Sequence, residues 1–186
     1  MTEKQEHTTN LLGASLVSKT HPRIELRGKL DEFNARIILV QAQAREAGQA
    51  QLETDLEEVR GVVLDLMACE VRETPCGELT LWGLPEEEIH QRSHTPDRFY
   101  GRGHILPHAD MGRWAAEINL LRTLVREVEL CACRAFAGPE GSVTRPDFVR
   151  VLNRLSSALY ILTYKYLPEG YNRVLRFGRK NSDGEK

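Results

Sequence analysis

Helix-spaced polar residues carry the chemistry in this chain. Asn119, Arg122, Arg126 and Glu129 follow at steps of three, four and three, which puts them on one face of a helix. Two guanidinium groups one turn apart can grip phosphate oxygens bidentately, and Glu129 can hold one of them in place. A solvated helix face has the same spacing. Asn153, Ser156 and Tyr160 form a second stripe, with Arg154 beside it. Asn and Ser suit a helix interior only where they bond something. Asp31, among apolar neighbours, offers a carboxylate to one of the arginines. His90 and His94 are spaced i,i+4 and can chelate a metal. They lack the Glu of His-Glu-x-x-His and a third ligand, so they read as structural. One Glu-x-x-His is present where a di-iron bundle needs two. His104 lies in the Gly-rich run Gly101-Arg102-Gly103-His104-Ile105-Leu106-Pro107, from which it can project into a pocket. No Gly-x-x-x-x-Gly-Lys-Ser/Thr occurs, so an ATP site here is not a P-loop.

The elements that must position these residues follow from apolar periodicity. Leu26, Leu30, Phe33, Ile37 and Val40 predict a helix over about Pro22–Ala47, ended by Gly48. Leu52, Leu56, Val59, Val63 and Leu66 predict a second, to about Val71, with Gly61 inside it marking a close contact. Trp114, Ile118, Leu121, Val125 and Val128 define a third long helix over about Gly112–Phe136. Phe148, Leu152, Leu155, Leu159, Leu162 and Tyr166 define the last, over about Arg145–Leu167. Between them, 73–110 is rich in Pro and Gly and reads as a long functional loop with one short helix, about Pro85–Ser93. No convincing strand is visible; Glu78–Trp82 is short and isolated. The fold class is all-α, an antiparallel, ferritin-like bundle of four long helices plus one short one. Residues 1–10 and 178–186 read as mobile polar tails around a domain of 11–177.

Composition removes several classes of function. Twenty-five Lys and Arg against 27 Asp and Glu give a net charge of −2, which argues against nucleic acid as a partner. No apolar run approaches the ~18 residues that cross a bilayer, so no membrane span is expected. The first residues show no basic stretch followed by an apolar one, so no secretory signal is expected. Cys69, Cys76, Cys131 and Cys133 form no Cys-x-x-Cys pair and read as free thiols of a cytoplasmic protein.

Several segments, in this order and spacing, resemble the ATP:cob(I)alamin adenosyltransferases of the propanediol-utilisation type. Ser18-Lys19-Thr20-His21-Pro22-Arg23-Ile24 and Leu30-Asp31-Glu32-Phe33-Asn34 are similar to that family's Ser-Lys-x-x-x-Arg-Ile and Val-Asp-Glu-Leu-Asn. Leu121–Glu129 is similar to its Ala-Arg-Thr-x-x-Arg-Arg-x-Glu, and Leu152-Asn153-Arg154-Leu155-Ser156 to its Leu-Asn-Arg-Leu-Ser. Gly83–Pro96 and Arg145-Pro146-Asp147 tighten the resemblance to the ethanolamine-utilisation branch. Glu127 departs from the pattern, standing where the propanediol type has a second arginine.

The resemblance implies transfer of the 5′-deoxyadenosyl group of ATP to reduced cobalamin, with Mg²⁺ and triphosphate as leaving group. It implies that Arg122 pairs with Asp31 on the corrinoid side, and that Arg126 and Asn153, with Glu129 beside them, contact ATP. Lys19 approaches the triphosphate. His104 takes the position beneath the corrin ring; blocking cobalt's lower face is favoured over ligating it, because Co(I) prefers no axial donor. No metal held by protein ligands is expected. The implied partners are a reductase, a B12-dependent lyase such as ethanolamine ammonia-lyase, and further copies of the chain. The assembly is a trimer with sites between subunits, or a dimer, in the cytoplasm or a bacterial microcompartment. The alternative function is a non-catalytic corrinoid-binding or delivery protein.

Overall fold

The computed structural model describes residues 5–13 and 15–175. Four long helices form the bundle: α1 (Pro22–Glu46), α2 (Ala50–Arg72), α5 (Gly112–Ala135) and α6 (Pro146–Lys165), with the short α3 (Glu86–His94) and α4 (Pro96–Tyr100) between α2 and α5. The apolar seams expected from the sequence meet in one core. Leu26, Leu30, Phe33 and Ile37 of α1 pack with Leu56, Val59 and Val63 of α2, Ile118, Leu121 and Val125 of α5, and Phe148, Leu152 and Leu155 of α6. Helix ends fall within two residues of expectation, because Gly48 and the prolines at 22 and 146 mark them.

Three expectations are corrected. First, strands exist. β1 (Thr8–Leu12) and β2 (Ser15–Ser18) pair antiparallel ahead of α1, so ordered structure begins inside the segment read as a tail. Their residues are mostly polar and exposed, and no alternation betrays them. β3 (Thr80–Leu81) and β4 (Leu84–Pro85) form a second hairpin. Its two turn residues, Trp82 and Gly83, both have positive φ, at 53° and 73°, as a two-residue turn of this hand requires. Trp82 is held there by its backbone N–H on Glu58 Oε2 (2.6 Å) and its indole N–H on the Asp55 carbonyl (3.1 Å). Second, the 73–110 stretch holds two helices and a hairpin rather than one helix and a loop. Third, Gly61 marks no close contact, since a Cβ there would meet nothing within 4 Å. The expected C-terminal tail, 178–186, lies outside the described residues.

Buried ion pairs tie the ends of the bundle together. Glu70 of α2 is fully buried and accepts from Arg23 Nε at 2.6 Å and Arg27 Nε at 2.5 Å. Arg27 also donates to the Leu11 carbonyl, which fixes the first hairpin to α1. At the other end, Asp55 accepts from Lys165 Nζ (2.7 Å) and Tyr166 Oη (2.6 Å), joining α2 to the end of α6. All four cysteines are free, and burial beside Cys69 pushes the Cys76 thiol up to about 12. No described helix is long and apolar enough to cross a membrane.

Candidate functional site

The polar stripe of α5 faces α6, and the two helices form the floor of a cleft. Ser93 and His94 of α3, His104 of the following loop, Arg122 and Arg126 of α5, and Ser156, Ser157 and Tyr160 of α6 line about 200 Å³ of open space. Arg122 is half-buried. Its Nε donates to Asn119 Oδ1 at 3.1 Å, and its guanidinium lies 5.8 Å from the centre of the Tyr160 ring. Neither Arg122 nor Arg126 forms an ion pair among the described residues. Burial and the neighbouring Arg126 charge push the Arg122 guanidinium below its ordinary value. Two cations in a cleft whose lining holds no carboxylate call for an anion there.

One turn further along the groove, Asn153 Nδ2 donates to Glu129 Oε1 at 2.9 Å, so these two predicted residues meet across the α5–α6 groove. His104 is half-buried, and its loop is clamped on both sides. The Leu175 N–H donates to the His104 carbonyl (2.7 Å), and the Ile105 N–H donates to Tyr160 Oη (3.2 Å). The segment after α6 thereby sets the height of the histidine over the cleft.

Two predicted residues lie elsewhere in the chain. Asp31 and Arg122 do not pair within one chain. Asp31 shares the Arg27, Asn34 and Gln41 flank of α1, and Arg27 and Gln41 bond to α2. Arg122 is on the flank of α5 turned toward α6. Asp31 is exposed and in no ion pair among the described residues. Lys19, exposed just after β2, does not line the cleft. His90 is engaged by α6: Arg154 Nη1 donates to its Nδ1 (2.9 Å), and burial and that guanidinium push its pKa down, while His94 lines the cleft. No group of three or more His, Cys, Asp or Glu suited to a metal occurs among the described residues.

Sequence reasoning missed Ser93, His94 and Ser157 as cleft residues. Ser93 and His94 reach it only because α3 packs on α6, and tertiary placement of that kind leaves no mark in periodicity; Ser157 lies on α6 itself, next to Ser156. Tyr164 was also missed, although its spacing of four from Tyr160 is visible in the sequence.

The cobalamin adenosyltransferase family pattern matches residues 1–166. The corrinoid adenosyltransferase EutT of Salmonella typhimurium is 35% identical over 160 residues, covering 86% of this chain and 58% of that protein. PduO of Citrobacter freundii is 34% identical over 163 residues, covering 83% of this chain and 45% of that protein. The chain thus spans less than two thirds of the length of these relatives. In fold it is similar to a variant PduO-type ATP:corrinoid adenosyltransferase from Lactobacillus reuteri, complexed with cobalamin and ATP. The TM-score is 0.62 at 20% identity, over 91% of this chain and 96% of that one. With the family pattern matched over most of its length, the chain belongs to the cobalamin adenosyltransferase family.

Proposed function

We propose that this chain transfers the 5′-deoxyadenosyl group of ATP to the cobalt of reduced cobalamin, giving adenosylcobalamin and triphosphate. The observation that carries the reading is the uncompensated Arg122–Arg126 pair in a cleft that also presents His104. The Co(I) nucleophile attacks the ribose 5′ carbon, so the protein need supply no base. Its residues must hold ATP in line and stabilise the charge that gathers on the departing triphosphate. Arg126 is the exposed cation for the phosphates, with Glu129 and Asn153 orienting the nucleotide. Mg²⁺ enters with the phosphates, which suits a cleft with no carboxylate in its lining. His104 lies beneath the corrin ring.

Asp31 and Lys19 join this site from a second copy of the chain. Both are exposed, and both lie away from the cleft of their own chain. A groove on α1 and α5 that exposes Leu39 and Leu120 beside half-buried Leu124, with Glu32 and Arg36 at its sides, supports such association, as a trimer or a dimer. The product serves a B12-dependent lyase of ethanolamine breakdown, fed by a separate reductase in the cytoplasm or a microcompartment. Anaerobic incubation with chemically reduced cobalamin and MgATP tests the activity. The cob(I)alamin bands should give way to a light-sensitive alkylcobalamin. A corrinoid that binds but stays unalkylated would instead mark a delivery protein.

A further inference from the structure

The hydroxyls beneath His104 form a relay whose proton positions can be assigned. Tyr164 Oη lies 2.9 Å from the Gly103 carbonyl, which can only accept, so the Tyr164 proton points there. Burial pushes the Tyr164 phenol up, so it keeps that proton. Tyr160 Oη lies 2.9 Å from Tyr164 Oη. One proton must stand between the two oxygens, and the Tyr164 proton is already committed, so it comes from Tyr160. Tyr160 Oη also accepts the Ile105 N–H and lies 3.1 Å from His104 Nδ1. With its only proton turned to Tyr164, Tyr160 is an acceptor in this last contact, and the proton is on Nδ1. In the neutral ring Nε2 is then bare. The opposite arrangement, with Tyr160 donating to Nδ1, would leave two phenol oxygens facing each other with no hydrogen between them.

We propose that Tyr160 and Tyr164 are positioning residues that hold His104 as its Nδ1–H tautomer, so that a bare Nε2 lone pair is the ring nitrogen left for a corrinoid's cobalt. An imidazole whose other nitrogen is engaged in a hydrogen bond is the usual arrangement for a metal-binding histidine. This changes the role expected from the sequence, where blocking the lower face was favoured. A bare nitrogen offers Co(II) an axial donor. The donor role rests on the corrinoid reading of the cleft; the tautomer does not.

The tautomer is read on the free protein by two-bond ¹H–¹⁵N correlation NMR of ¹⁵N-histidine protein, with the pH raised until the His104 pattern stops changing and the ring is neutral. His104→Gln assigns the signal. The expected pattern is Nδ1–H in wild type, moving toward Nε2–H, the commoner form in water, in Tyr160→Phe. An Nε2–H pattern in wild type overturns the proposal, whatever the variants do. The donor role is read by electron paramagnetic resonance of the protein with cob(II)inamide, which carries no nucleotide base. Each cobalt line should split into three from one protein nitrogen. The splitting should vanish in His104→Ala and fall at least about twofold in Tyr160→Phe. Bound cob(II)inamide without the splitting, in a protein that still adenosylates cobalamin, overturns the donor role and leaves the proposed function standing. No corrinoid binding at all overturns both.

Discussion

Arg126 shows how far single residues could be judged in advance. Its spacing from Arg122 and Glu129 placed it on a polar stripe, and the same spacing fits an idle surface. Only the packing of α5 on α6 shows that Arg122 and Arg126 of the stripe line a cleft, one whose lining holds no carboxylate. Removing a cation aimed at a leaving group costs far more in rate than in stability. Arg126→Ala should slow adenosylation about 100-fold or more. Because the side chain is exposed, thermal unfolding should move by the equivalent of no more than about 0.5 kcal/mol. Visible absorbance of the product and calorimetry on the same preparation check both. Activity within a few-fold of wild type would remove Arg126 from the triphosphate site. His104 was singled out for its Gly-rich surroundings, but its proton position depends on Tyr160 and Tyr164, which lie 56 and 60 positions along the chain and which no local pattern joins to it.

Elements were legible in proportion to their length and burial. The four long helices each present an uninterrupted apolar stripe, whereas the hairpins of 8–18 and 80–85 are too short and exposed to carry a period. The start of α6 shows what local sequence hid. Asp147 accepts from the Cys76 N–H at 2.8 Å and from Arg145 Nη2 at 2.9 Å, so one carboxylate fastens the chain after α2 to the first turn of α6. The Arg145 hydrogen bonds, helped by the Cys76 N–H, hold the Asp147 carboxyl well below the usual carboxylate range. A group depressed in the folded state adds stability above its unfolded pKa, near about 3.9, and loses it as pH falls toward the folded value. Asp147→Asn should therefore cost about 1–3 kcal/mol at neutral pH. The gap to wild type should close as acid is added below about pH 4. Urea unfolding of both proteins across that range measures it, and a gap that stays constant in acid would show that the charge of Asp147 contributes nothing.

At the scale of the whole molecule, the residues of the proposed site do not meet within one chain. Arg126 lies in one chain's cleft, while Asp31 is on a flank of α1 that does not face it. If two copies complete each site, mixing inactive Asp31→Asn and Arg126→Ala chains and letting subunits exchange should restore about a quarter of wild-type activity, since random pairing leaves that share of sites with both residues intact. No recovery, with subunit exchange verified by mass, would place Asp31 outside the site. The sequence by itself determined the helices, the bundle and the identity of the polar stripes, because those follow from side-chain period and from residues such as Gly48 and Pro146 that stop or start a helix locally. It also carried the family resemblance, because ordered motifs survive in the linear chain. The tertiary structure decided which flank of each helix faces which neighbour. That choice separated Asp31 from Arg122, brought Ser93 and His94 to the cleft, and set the hydroxyl relay under His104. Helical period gives the side of a helix that is buried, but flanks are assigned only when all the helices pack at once and each polar group finds its partner.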